Sequence, residues 1–138
     1  MTPYQIYQQQ HVQNATRIEL LLALYDKAIQ HLKQARQEIE QGNVSTATPL
    51  IVQAQVIVFA LADGVDPQYG EIAQNMLRLY EFVLYRLGST EAQNIGDAIQ
   101  ILATLREGLW EIEPKAKAME LGGKLPRAQI FPGLRLSV

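Results

Sequence analysis

From Thr16 onward, apolar residues recur every three or four positions in four separate stretches, the spacing of one face of an α-helix, and turn or capping residues bound each stretch. In the first, Ile18, Leu21, Leu22, Tyr25, Ile29, Leu32, Ala35 and Ile39 share a face, with Asp26, Lys33, Gln37 and Glu40 opposite. Thr16-Arg17-Ile18-Glu19 has the spacing of a capping box at its start, and Gly42-Asn43 supplies a residue tolerant of positive φ at its end. The second stretch, 50–62, is apolar nearly all round. The hydroxyls of Ser45, Thr46 and Thr48 and the proline at 49 predict a start with Pro49 in the first turn. Its β-branched residues would also suit a buried strand, but the unbroken length and helical neighbours favour a helix. After Asp63-Gly64-Val65-Asp66-Pro67, a third period runs through Ile72, Ala73, Met76, Leu77, Tyr80, Val83, Leu84 and Leu87 and stops at Gly88. A fourth begins near Asn94 or Asp97, continues through Ile95, Ile99, Leu102, Leu105, Leu109 and Ile112, and is predicted to end before Pro114.

Four amphipathic helices with short connections pack most simply as an antiparallel bundle. The expected fold is therefore all-α: an N-terminal arm over 1–15, a four-helix bundle over 16–113 and an extended C-terminal tail over 114–138. The length of 138 residues suits one domain, and 48% apolar with 19% charged residues is the balance of a globular chain. With no cysteine, disulfides and thiolate metal ligands are excluded and a cytoplasmic location is the default expectation. The first ten residues lack the basic patch and apolar run of a secretory signal. The longest apolar run, 50–62, is broken by Gln53 and Gln55 and falls short of the roughly 20 residues that span a bilayer, so no membrane insertion is expected.

A net charge of −2 conceals an uneven distribution. Residues 1–113 hold seven Lys or Arg against thirteen Asp or Glu, whereas 114–138 hold five against one. An acidic body repels phosphates, which argues against a nucleic-acid partner.

Catalytic constellations do not assemble from this sequence. Gln8 and Ala28 stand three places before His11 and His31, so the Glu-x-x-His pairs of a di-metal bundle are missing, and His31 reads as a surface histidine. Ser45 and Ser89 read as caps rather than nucleophiles, and no glycine-rich phosphate loop occurs. Glu107 and Glu111 read as solvated like charges rather than an acid/base pair. Arg78, Arg86 and Arg106 are the candidates for an anionic substrate, but helical spacing lets Arg78 meet Glu81 or Phe82 without one. The chain reads as a non-enzyme with no cofactor and no metal.

What stands out is an apolar excess. A bundle helix needs roughly three apolar positions in seven, and the second helix has far more. Leu20 and Leu24 on the first helix, and Leu79, Phe82 and Tyr85 on the third, also lie outside their main stripes. Three explanations remain open on spacing alone: a partner groove, a central and fully buried second helix, or a homodimer interface. The last would make the protein a helical adaptor or dimerisation module without a client.

The segment T-R-I-E-L-L-L-A-L-Y-D-K-A-I-Q-H-L-K-Q-A at 16–35 resembles the FliS family of flagellin-specific export chaperones, above all in Leu-Tyr-Asp-x-Ala-Ile-x-x-Leu-x-x-Ala at 24–35. Tyr4 and Tyr7 are similar to the family's tyrosine-bearing N-terminal arm, 73–87 resembles its third-helix pattern, and Leu102-x-x-Leu-Arg-x-x-x-Trp110 its closing Leu/Trp signature. The link at 88–94 and the tail depart from the pattern. The resemblance implies a cytoplasmic bundle that binds the disordered C-terminal segment of flagellin, prevents premature polymerisation and presents it to the flagellar export apparatus; a weak homodimer stays open. On that basis Leu50, Ile51, Ala54, Ile57, Val58 and Leu61, with Met76, Tyr80 and Val83, are the expected groove residues. Tyr4 and Tyr7 are, by resemblance, a cover for it. The apolar, basic tail is expected either to dock on the acidic body or a neighbouring chain, or to be disordered.

Overall fold

A computed structural model describes residues 16–121, without the side chains at 112, 113, 116, 117, 119 and 120. Among the described residues there are four long helices and no strand: α1 (Arg17–Glu40), α2 (Val44–Asp63), α3 (Glu71–Arg86) and α4 (Ala92–Leu121), with a 3₁₀ turn at Pro67–Tyr69. The expected all-α bundle is what forms. The arm, with Tyr4 and Tyr7, and the segment 122–138 lie outside the described residues.

Local chemistry sets the ends of α1. Thr16 Oγ1 accepts from the Glu19 backbone N–H at 3.4 Å and donates to the Glu19 carboxylate at 3.0 Å, so the predicted capping pair meets. At the other end Gly42 takes φ 84°, and the Gly42 and Asn43 N–H groups donate back to Ile39 and Glu38 at 3.0 and 2.7 Å. This is a Schellman closure, and it needs a residue without a Cβ penalty at position 42. Gly70 (φ 112°) makes the corresponding turn into α3, while Asp66 Oδ1 accepts from Gln68 N–H at 2.9 Å to hold the preceding turn.

Two helix boundaries depart from the sequence reading, both at proline. α2 starts at Val44, so Pro49 lies inside the helix instead of in its first turn, and Ser45 and Thr46 are helical rather than caps. α4 runs through Pro114 to Leu121 instead of ending before it. An interior proline removes one backbone hydrogen bond and crowds the carbonyl four residues back. Here both prolines are exposed, as are Ser45 and Trp110, so water can satisfy the carbonyls that are left over. Thr48 Oγ1 also donates to the Val44 carbonyl at 3.0 Å within the first turn of α2.

The core is built around α1, which packs extensively on both α2 and α4, while α3 closes the bundle between those two. Tyr25, Leu32, Val58, Leu61, Tyr80, Val83, Ile95 and Leu102 are fully buried. Each large aliphatic side chain sealed in this way contributes about 1.5–3 kcal/mol. Contrary to the expectation from the run 50–62, α2 has 20 residues and is long and apolar enough by composition to cross a bilayer. What marks it as a bundle helix is its inner face, where Ala47, Ile51, Ala54, Val58 and Leu61 pack into the common core.

Candidate partner-binding surface

At about 100° per residue, positions 47, 51, 54, 58 and 61 fall on one side of α2, and 52, 56 and 59 fall on the far side. The structure follows this division. The first set is buried, whereas Val52, Val56 and Phe59 are exposed, the last two by 61% and 60%. On α3, Tyr80 and Val83 face inward while Ile72, Leu79, Phe82 and Tyr85 are exposed. Helices with apolar residues on both faces thus bury one set and present the other to water.

Polar contacts fix how these outer faces line up. Gln55 Nε2 of α2 donates to the Leu87 carbonyl at the end of α3 at 3.1 Å. On the opposite flank Arg86 donates to Asn94 Oδ1 of α4 at 3.0 Å and lies 3.9 Å from the Asp97 carboxylate. With α2 and α3 antiparallel and level at 55 and 87, Phe59 lies level with Val83, and Tyr85, level with Ile57, points outward from α3 opposite its buried face. Ile72, Leu79 and Phe82 turn toward the α4 side, where half-buried Ile101 and Leu105 continue the apolar surface. α3 is therefore a ridge with an apolar strip along each flank. The α1–α4 side is different in kind: a shallow hollow of about 350 Å³ there is lined by Arg36, Glu40, Gln93, Asp97 and Gln100 among others, a polar wall that offers little to an apolar segment.

The nine helical residues expected to form the groove divide into two groups. Ile51, Ala54, Val58, Leu61, Tyr80 and Val83 are sealed in the core and present no surface to a partner. Leu50, Ile57 and Met76 are half-buried and pack against that core from its edge. The exposed apolar set of α2 lies one or two positions along from these residues. Its signal was available as a second 3–4 spacing, 52-56-59, complementary to the core spacing. On α3 the surplus residues Leu79, Phe82 and Tyr85 are exposed, as their position outside the main stripe implied, whereas Leu20 on α1 is buried.

The charged groups serve the scaffold. Arg86 stacks over the Phe82 ring at 4.9 Å, and Arg78 donates to Asn75 at 3.1 Å rather than meeting Glu81 or Phe82. Arg106 forms a paired hydrogen bond to the Asp26 carboxylate and lies 5.6 Å from the centre of the Trp110 ring, tying α4 to α1. The Tyr25 and Tyr80 hydroxyls hydrogen-bond to each other across the core. Burial pushes both above the ordinary tyrosine range; the neighbouring oxygen adds to the rise at Tyr25, while the hydrogen bond pulls Tyr80 partly back. His31 is half-buried rather than a surface residue, with Nδ1 buried and unpartnered. Desolvation, then Lys27, lowers its pKa and keeps the ring neutral at physiological pH.

An acidic-bodied, four-helix bundle with an apolar outer flank has clear relatives. The family described as "Flagellar protein FliS" matches residues 1–116. The chain is 32% identical over 115 residues to the "Flagellar secretion chaperone FliS" of Salmonella typhimurium, covering 79% of this chain and 85% of that protein. It is 29% identical over 92 residues to the protein of the same name from Bacillus subtilis, covering 67% and 68%. Residues 1–116 include the helices that carry both apolar strips, and by that match this chain belongs to the FliS family.

Proposed function

We propose that this protein is a cytoplasmic export chaperone that binds the disordered C-terminal segment of flagellin, keeps it from polymerising prematurely and delivers it to the flagellar export apparatus. The observation that carries this reading is the pair of apolar strips flanking α3, left in water by a bundle whose core is already complete. A segment that orders on binding loses conformational entropy and must recover it from buried apolar area, at about 25 cal/mol per Å². Val52, Val56, Phe59, Leu79, Phe82 and Tyr85 supply such area on adjoining helices. Two long strips suit an amphipathic segment laid along the bundle better than a compact ligand held in a pocket. Capturing that segment also hides it from other flagellin subunits, and a chaperone needs no chemistry of its own to do so.

Calorimetric titration of the full chain with a flagellin C-terminal peptide is expected to show one-to-one saturable binding with a negative heat-capacity change, the mark of apolar burial. Absence of heat and of any spectroscopic change at saturating peptide would remove the client. A dimer that persists on dilution and ignores the peptide would instead fit the adaptor reading.

A further inference from the structure

We propose that residues 66–79, the 3₁₀ turn and the first half of α3, unfold and refold as one unit while the rest of the bundle stays closed, and that a client holds the unit shut. The opening stands on the packing of the free protein; the closing rests on the export-chaperone reading.

The two halves of α3 are held very differently. Tyr80, Val83 and Leu87 are buried, and Leu84 packs against the core beside them. Polar contacts tie this half to every other helix: the Tyr80 hydroxyl to Tyr25 of α1, the Leu87 carbonyl to Gln55 of α2 at 3.1 Å, and Arg86 to Asn94 of α4 at 3.0 Å. From 66 to 79, by contrast, no residue is buried and only Met76 packs against the core. Ile72 and Tyr69 are exposed by 79% and 82%. Core-packed Val65 and Tyr80 bracket the stretch and set its limits.

Hydrogen bonds within 66–79 close on themselves. Asp66 accepts from the N–H groups of Gln68 and Tyr69, Gly70 N–H donates to the Pro67 carbonyl at 3.3 Å, and Arg78 donates to Asn75 at 3.1 Å. The Gln74 side chain donates to the same Pro67 carbonyl at 3.3 Å, which ties the 3₁₀ turn to the start of the helix. Among the described residues none of these groups bonds to α1, α2 or α4. Gly70 starts α3 at φ 112° without a side-chain cap, whereas Thr16 caps α1. A stretch bonded to itself, with one residue on the core and an uncapped start, opens at lower free energy than the helices it leans on. Ile72 and Leu79 on this stretch form the α3 wall of the strip that faces α4, while Phe82 belongs to the anchored half. That wall is ordered for only part of the time in the free protein, and a client lying on it supplies the apolar contacts that the core does not.

Native-state amide exchange of the full chain reads the opening. Asn75, Met76, Leu77, Arg78 and Leu79 are expected to share one protection level, at least about 30-fold below that of Leu84, Tyr85 and Arg86. Gly70→Ala, strained at φ 112°, should speed exchange at 75–79 about tenfold and leave 84–86 unchanged. Three results would overturn the opening: equal protection in the two halves, protection that climbs residue by residue from 75 to 79 as at a frayed end, or a Gly70→Ala effect spread over the whole bundle. A flagellin C-terminal peptide that binds by calorimetry is expected to slow exchange at 75–79 at least about tenfold more than at 84–86. An equal change in both halves overturns the closing. A peptide that produces no heat removes the client reading and the closing with it, and exchange in the free protein still decides the opening.

Discussion

Phe59→Ala is expected to weaken binding of a flagellin C-terminal peptide about 30-fold, the effect of losing about 2 kcal/mol from an aromatic anchor, and Val56→Asp to weaken it at least tenfold. Both side chains are more than half exposed, so neither change opens a cavity or buries a charge in the free protein. Stability should stay within about 0.5 kcal/mol of the parent, as for most surface substitutions. Val58→Asp supplies the contrast. Two positions from Val56, it is fully buried, and a carboxylate there should unfold the bundle outright. Calorimetry with thermal unfolding of the same samples checks the set: affinity for Phe59→Ala and Val56→Asp within twofold of the parent would move the client off α2.

The second large effect is on stability and concerns pH. Tyr25 and Tyr80 are neutral in the core, and burial raises both above the unfolded value of about 10. Below pH 10 both states keep the protons, and the contribution of the pair is fully present. Above it the unfolded chain releases protons that the folded chain retains, so the unfolded state binds fewer and stability falls as pH rises. The limiting slope is about 1.4 kcal/mol per pH unit for each tyrosine that stays protonated, so Tyr25 alone costs about 1.4 kcal/mol by pH 11 and Tyr80 adds to the loss in the same direction. Urea unfolding at pH 8 and pH 11 tests this against the double variant Tyr25→Phe, Tyr80→Phe, which removes both hydroxyls together and leaves neither orphaned. The variant should lose at least about 1.4 kcal/mol less between the two pH values; equal losses would show that the pair does not stay protonated.

Element identity was legible because each helix carries its own repeating stripe and its own stop. Thr16 and Gly42 could be assigned from residue chemistry alone, since a hydroxyl that reaches Glu19 N–H and a residue that tolerates φ 84° are local requirements. Pro49 and Pro114 misled for the complementary reason. A proline's cost depends on whether water reaches the carbonyl it orphans, and that is settled by tertiary exposure. The site was half legible. That α2 holds more apolar surface than the core can use follows from counting, but which face is left over depends on where α1 and α3 lie. Ala54, Val58 and Leu61, among the expected groove residues, are thus buried, while Val52, Val56 and Phe59 are exposed. On α3, Phe82 and Tyr85 were easier to find because a polar background makes a surplus aromatic visible.

In the proposed chaperone the outer flanks of α2 and α3 are the berth for another polypeptide. Residue-by-residue amide shift mapping of the full chain, titrated with a flagellin C-terminal peptide, tests it most directly. Perturbations are expected to concentrate at Val52, Val56, Phe59, Leu79, Phe82 and Tyr85, with Gln34, Gln37 and Gln100 on the polar α1–α4 side unmoved. Perturbations confined to that polar side, with the α2 and α3 flanks silent at saturation, would contradict it.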